Sequence, residues 1–337
     1  MSTQTKETEE RRGITYAIRT LLRGAGQVMF QENAWTGLLF LIGIFWGAYC
    51  AGTPAVAWGA VVGLMASTIG GYIMDTNLPD GTDGLWGFNG ILVGCAFPTF
   101  LGNTWQMWLA LIFCAMITTW MRRAFNNVST QYKINSLTFP FVFMTWVFLL
   151  ASRMMHGLDP DGLSTPTLAE HFTWHLDMGF TDLLEYWLKG VAQVFLINNW
   201  VTGICFLVGL AISNKWAAIY GALGSAIALL VSILFHTDPT NIAGGLMGFS
   251  PVLTGIALGC TFYKVNIHSA LWTIAGIIAT VFIQAAMDAG MAPVGLPTLT
   301  GPFCVTTWLF LLPLYKLDDR DYPDHSFWVS LKKAANV

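Results

Sequence analysis

Three blocks of this 337-residue chain occur twice, in the same order and at nearly one spacing. The run from Gln27-Val28 through Asn33 to Thr36-Gly37 returns 166 residues later, from Gln193-Val194 through Asn199 to Thr202-Gly203. Gly84-Leu85-Trp86-Gly87-Phe88 returns as Gly245-Leu246-Met247-Gly248-Phe249 at an offset of 161, and the match continues to Gly94 and Gly255. Leu137-Thr138-Phe139-Pro140-Phe141 returns as Leu299-Thr300-Gly301-Pro302-Phe303 at an offset of 162. Ordered self-similarity at one long period marks a duplicated structural unit. The chain divides into a first repeat over 1–153, a linker over 154–180, a second repeat over 181–316 and a tail over 317–337.

Composition fixes the medium in which those halves fold. Only 10% of residues are charged and 55% are apolar, whereas a soluble domain is about a quarter charged. So few charges cannot cover a soluble surface. A net charge of −3 without a basic stripe excludes nucleic acid as a partner. The expected fold is an all-α polytopic membrane protein. Since about 20 apolar residues cross a bilayer, ten candidate spans emerge. They lie roughly at 35–51, 54–73, 85–100, 104–121 and 137–152, then at 201–213, 217–235, 245–261, 268–286 and 300–315. Two shorter amphipathic, pore-facing segments, 14–31 and 180–198, precede the two sets. Five crossings per half is an odd number, so the second half enters the membrane from the opposite side. The halves are expected to be inverted repeats, which places a solute site at their interface near the midplane.

Orientation follows from Lys and Arg. With ten crossings and a cytoplasmic N-terminus, 14 of the 16 basic residues fall inside, and only Arg153 and Lys189 fall outside. Both termini are therefore expected in the cytoplasm and the acidic linker outside. Residues 1–33 show no signal-peptide pattern. Cys50, Cys95, Cys114, Cys205, Cys260 and Cys304 sit in apolar stretches without metal spacing and read as small core hydrophobes. His171 and His175 read as members of a solvated loop. Asp75, Asp80 and Asp83 resemble the start of a calcium loop, but its twelfth position is Trp86. No nucleophile–base pair or metal cluster supports an enzyme or calls for a cofactor.

The duplicated blocks carry Gln27, Gln193, Thr138 and Thr300 at membrane depth. A polar group unpaired in hydrocarbon costs several kcal/mol, so these side chains must face protein or water. Interhelical hydrogen bonding is one use for them; lining a path with oxygen acceptors is the other. No Asp, Glu, Lys or Arg falls in the middle of an expected span, which argues against ion coupling and charged-ring channels. A neutral lining suits a small, uncharged, planar polar solute.

Leu296-Pro297-Thr298-Leu299-Thr300-Gly301-Pro302-Phe303 carries the LPxxTxPF signature and resembles the urea transporter family. The first-half copy, Ile134-Asn135-Ser136-Leu137-Thr138-Phe139-Pro140-Phe141, departs from it at its first two positions. The paired Gly-Leu-x-Gly-Phe and Gln-Val blocks are also similar to that family's pore segments. The resemblance implies a homotrimer in the lipid of a bacterial cytoplasmic (inner) membrane, each subunit passing urea through its own channel. It implies flat slots from Phe88 and Phe249 with Leu92 and Leu253, and walls from Val28 and Val194. Gln27 and Gln193 would accept urea N–H groups, and Thr138 and Thr300 would add hydroxyls toward the middle. Some bacterial members of the family carry Glu in place of Gln193. A coupled secondary transporter and an ammonia or small-amide channel of the same architecture remain alternatives.

Overall fold

In a computed structural model, residues 13–74, 79–168 and 173–317 are described, and their regular structure is helical. The first half contains α1 (Ile14–Gly26), α2 (Ala34–Cys50), α3 (Pro54–Met74), α4 (Phe88–Phe100), α5 (Trp105–Ser129) and α6 (Phe139–Ser152). The second contains α7 (Phe180–Ala192), α8 (Trp200–Ser213), α9 (Lys215–Leu234), α10 (Phe249–Ile256), α11 (Ile267–Met291) and α12 (Gly301–Leu311). One-turn helices at Pro79–Thr82 and Pro239–Ala243 precede α4 and α10. A 3₁₀ turn follows α1 at Gln27–Met29 and α7 at Gln193–Phe195.

The expected crossings fall into three kinds. Four stretches are long and apolar enough to cross a membrane: Pro54–Met74, Trp105–Tyr132, Lys215–Leu234 and Ile267–Val294. Each amphipathic segment joins the next span as a bent pair, α1 with α2 at 76° and α7 with α8 at 71°, so the number of long spans rises to six if each pair is one. The expected crossings at 85–100, 137–152, 245–261 and 300–315 are instead short helices of 10–17 residues. Even 17 residues reach only about 25 Å, less than the hydrocarbon layer of about 30 Å.

The bends have local causes. Phe30 and Leu196 take left-handed backbone after the 3₁₀ turns, at φ 62° and 59°. The chain then re-enters helix at Asn33 and Asn199, whose side chains accept from the amides of Trp35 and Thr36, and of Thr202. Glycine permits the close return. A Cβ on Gly37 would lie 1.7 Å from the Leu22 carbonyl oxygen, and one on Gly203 would lie 2.1 Å from that of Leu188.

One apolar core runs through both halves, and the contacts between the halves are reciprocal. Thr36 Oγ1 donates to Gly209 O at 2.7 Å, and Thr202 Oγ1 donates to Gly43 O at 2.7 Å. Trp146 Nε1 donates to Pro297 O, and Trp308 Nε1 to Asn135 O, both at 2.8 Å. Phe40 and Phe206, which match in the repeat, pack on each other with ring centroids 5.0 Å apart.

Gly37→Ala and Gly203→Ala must each push a helix off a backbone carbonyl, so each should destabilise the protein by more than about 3 kcal/mol. Gly290→Ala, where nothing lies within 4 Å of the added carbon, should be neutral or slightly stabilising by helix propensity. Thermal unfolding of the three variants in detergent checks the difference.

Candidate functional site

The two halves meet at the starts of their last helices. Thr138 and Thr300 occupy the N-cap positions of α6 and α12, and neither caps its own helix. Their Oγ1 atoms instead lie 2.6 Å apart, buried at 3% exposure each. One hydroxyl therefore donates to the other. Thr138 Oγ1 is also 3.3 Å from Cys304 Sγ. Leu137 and Leu299 turn the chain into this contact with left-handed backbone, at φ 52° and 51°. Pro140 and Pro302 follow in the first helical turn, where the missing N–H costs no hydrogen bond. A helix N-terminus carries a partial positive charge, so the hydroxyl pair lies between two such ends.

Gln27 and Gln193 open the 3₁₀ turns. Gln27 Nε2 donates to Asp83 O at 2.9 Å, and Gln193 Nε2 donates to Gly244 O at 2.8 Å. Each carbonyl belongs to the residue just before a Gly-Leu-x-Gly-Phe block. The amide is thereby tethered by its donor end, leaving Oε1 as the acceptor. Phe88 and Phe249 begin α4 and α10, and Leu92 and Leu253 follow four residues later, fully buried. Val28 and Val194 are buried beside them in the same core. Among the described residues neither Phe ring pairs with another aromatic ring. The Arg122 guanidinium carbon lies 5.8 Å from the Phe88 centroid, and the same guanidinium pairs with Asp80 at 2.6 Å.

A cavity of about 660 Å³ opens onto part of this set. Gln193, Val194, Phe249 and Thr300 line it; Leu253, Gln27, Val28, Phe88, Leu92 and Thr138 do not. Phe100 and Phe141 enter from the first half, so both halves wall it. Gln284 and Asp288 of α11 also line it. The sequence reading missed these two because Asp288 falls just past the expected span and Gln284 lies outside the matched blocks.

The linker is not merely a solvated loop. Ser164, Thr165 and Thr167 form part of the cavity wall. Gly162 N donates to Phe100 O at 3.2 Å, and Thr167 N to Ala292 O at 3.0 Å. Arg153 Nη2 joins Ser164 O at 2.8 Å to Gly295 O at 3.2 Å. Leu158 and Leu163 of this stretch are buried, and its apolar residues were the signal available in the sequence. His175 is exposed, 4.0 Å from Asp177, while His171 and Asp75 lie outside the described residues. Among those described, no group of three or more His, Cys, Asp or Glu could hold a metal ion. All six cysteines are free; Cys50 is exposed at a helix end and not in the core.

Apolar helices long enough to cross a membrane, shorter ones beside them and a cavity reaching a buried polar contact between the two halves mark a polytopic membrane protein. The chain belongs to the urea transporter family, which residues 18–315 match. It is 32% identical over 298 residues to Urea transporter 1 of Ovis aries and to that of Capra hircus. It is 29% identical over 300 residues to Urea transporter 1 of Mus musculus. Each alignment covers 87% of this chain and 76% of the relative.

The Thr138–Thr300 pair should behave as one unit. Thr138→Val and Thr300→Val each leave the other hydroxyl short of a partner, so the double variant should lose less stability than the two single losses added together. A coupling of about 1 kcal/mol is expected, within the range of hydrogen bonds between membrane helices. Strict additivity in detergent unfolding would show that the two hydroxyls do not depend on each other.

Proposed function

We propose that this chain lets urea cross a bacterial inner membrane passively, through a pore between its two halves in each subunit of a homotrimer. The halves are inverted repeats in this reading, related by a pseudo-twofold axis through the Phe40–Phe206 and Thr138–Thr300 contacts. The reciprocal hydrogen bonds support that relation, because a twofold axis returns every contact as its mirror assignment. In this reading both termini are cytoplasmic, which the distribution of Lys and Arg supports, and the cavity is the outer mouth.

The observation that carries the reading is the neutral Thr138–Thr300 hydroxyl pair, which the cavity reaches at Thr300 and which lies between two helix N-termini. Cations are repelled where positive helix ends converge. A neutral solute with N–H donors and a carbonyl meets no such penalty. Urea has four N–H donors and one carbonyl, and it can exchange water for Gln193 Oε1, then for the threonine hydroxyls, and then for Gln27 Oε1. Each step replaces part of a hydration shell, so no single position needs to be a deep trap. Phe88 and Phe249 with Leu92 and Leu253 supply the flat walls, with Val28 and Val194 beside them. Family membership supports urea as the solute.

Radiolabelled urea should equilibrate across proteoliposomes with no ion gradient and run equally in both directions. Adding a proton or sodium ionophore should change nothing, and uptake that stops with the ionophore would establish a coupled carrier instead. Thr300→Val should slow urea about ten-fold if that step limits flux, since an unmet hydrogen bond costs about 1–2 kcal/mol.

Slot and acceptor separate in a panel of urea, methylurea and dimethylurea. Phe249→Ala should relax discrimination against dimethylurea, whereas Gln193→Leu should slow all solutes without raising the size limit. Gln193→Glu changes more than charge, because it also deletes the donor that holds the side chain to Gly244 O. Parallel shifts in the Phe and Gln variants would show that these positions share one role.

A further inference from the structure

The helices α5 and α11 match at an offset of 162 from their first residue to their last. On them Arg122 matches Gln284 and Asn126 matches Asp288, while Asp80 matches Asn241 at the offset of the preceding block. The backbones repeat and the charges do not. In the first half, Asn126 Oδ1 accepts from Ser136 N at 2.8 Å. In the second, Asp288 Oδ1 accepts from the hydroxyl of Thr298, the match of Ser136, at 2.8 Å. A neutral amide thus meets the architectural need of this contact in one half, and the other half supplies a carboxylate. The negative charge is surplus to the fold.

Among the described residues no Lys, Arg or His pairs with Asp288, and none lines the cavity into which it faces. A second polar group at the same place is unsatisfied. Gln284 lies one helical turn before Asp288, on the same face, and lines the same cavity at 1% exposure. Its Nε2 donates to Leu246 O, whereas its Oε1 has no hydrogen-bond partner. The Asp288 carboxylate, held by the Thr298 hydroxyl alone, and the orphaned Gln284 carbonyl oxygen form an acceptor set on one wall with no cationic donor among the described lining residues, and Asp238 adds a second carboxylate to the same cavity.

We propose that the cavity contains a binding site for a small planar cation of the guanidinium class, held by Asp288 and Gln284. Guanidinium is the permanently charged isostere of urea and presents only donors. Its fork of N–H groups matches a carboxylate bidentately, and an adjacent N–H can satisfy the Gln284 oxygen. Beyond this site the converging helix N-termini repel it, so guanidinium binds at the mouth and does not pass. The effect on flux rests on the cavity being the mouth of the urea pore; binding itself does not.

The test uses purified full-length protein and radiolabelled guanidinium at millimolar concentration and mildly alkaline pH, where a carboxylate is ionised. Saturable binding is expected, displaced by unlabelled guanidinium and not by equal sodium. Asp288→Asn should weaken it about ten-fold, the scale of one charge-assisted contact. Asp288→Glu, which keeps the charge, should retain most of it, and Gln284→Leu should weaken it several-fold with the carboxylate intact. No saturable binding to the wild type, or equal affinity in the Asn variant, overturns the proposal. In proteoliposomes, external guanidinium should slow urea entry, with about ten-fold more needed for Asp288→Asn, each variant read against its own flux without guanidinium. Binding without any slowing of a measurable urea flux keeps the site and overturns the cavity as pore mouth. An absence of urea flux overturns the channel reading while the binding assay still decides the site.

Discussion

A helix broken inside an apolar medium exposes backbone groups that no water can satisfy, and in lipid each must find a partner within the protein. This constraint governs the molecule. Where α1 gives way to α2, and α7 to α8, the freed amides go to the Asn33 and Asn199 side chains. The carbonyls of Asn135 and Pro297, stranded before the last helix of each half, take the indole N–H groups of Trp308 and Trp146. Each of these two tryptophans lies on the opposite half from the carbonyl it serves. The breaks and the join between the halves are therefore linked, since each half supplies a donor to a carbonyl stranded in the other.

The same arrangement sets the electrostatics at the centre. Prolines in the first turns of α6 and α12 remove amides that would otherwise lack acceptors, and the hydroxyls of Thr138 and Thr300 engage each other. What remains is a polar but uncharged contact with two positive helix ends behind it. Replacing either threonine with a carboxylate would hold cations there, and replacing it with a lysine would double the repulsion already present. A hydroxyl does neither, and it exchanges partners by rotating about one bond.

Much of this was legible because duplication filters the sequence. Gln27, Asn33, Thr138 and Pro140 are unremarkable singly, but each recurs with its neighbours, and recurrence separates a required residue from an incidental one. Helix length was less legible. The stretch 85–100 is as apolar as a true span, and hydropathy does not distinguish a helix that crosses from one that begins at Phe88 in the core. The linker misled for a related reason: its polarity hid Leu158 and Leu163, whose burial ties it to the cavity wall. Arg122 carried weight only as a marker of membrane side. Its partner Asp80 lies 42 positions earlier and the Phe88 ring it covers is 34 away, so no local pattern joined them.

Where the halves agree, the agreement explains the fold; where they differ, it cannot. The first half holds an Arg122–Asp80 ion pair over Phe88, while the matching positions of the second, Gln284 and Asn241, are neutral and the added charge sits at Asp288. For a passive path these differences have a definite limit. Binding at one mouth and not at the other changes how often that mouth is occupied, but it adds no free energy to the crossing, so the solute still comes to equal concentration on both sides. Only a group that gains or loses an ion in step with the solute could move that endpoint. On the passive path proposed above, residues that distinguish the two mouths would therefore act on which molecules enter and how long they stay, and the duplicated centre would set what can cross.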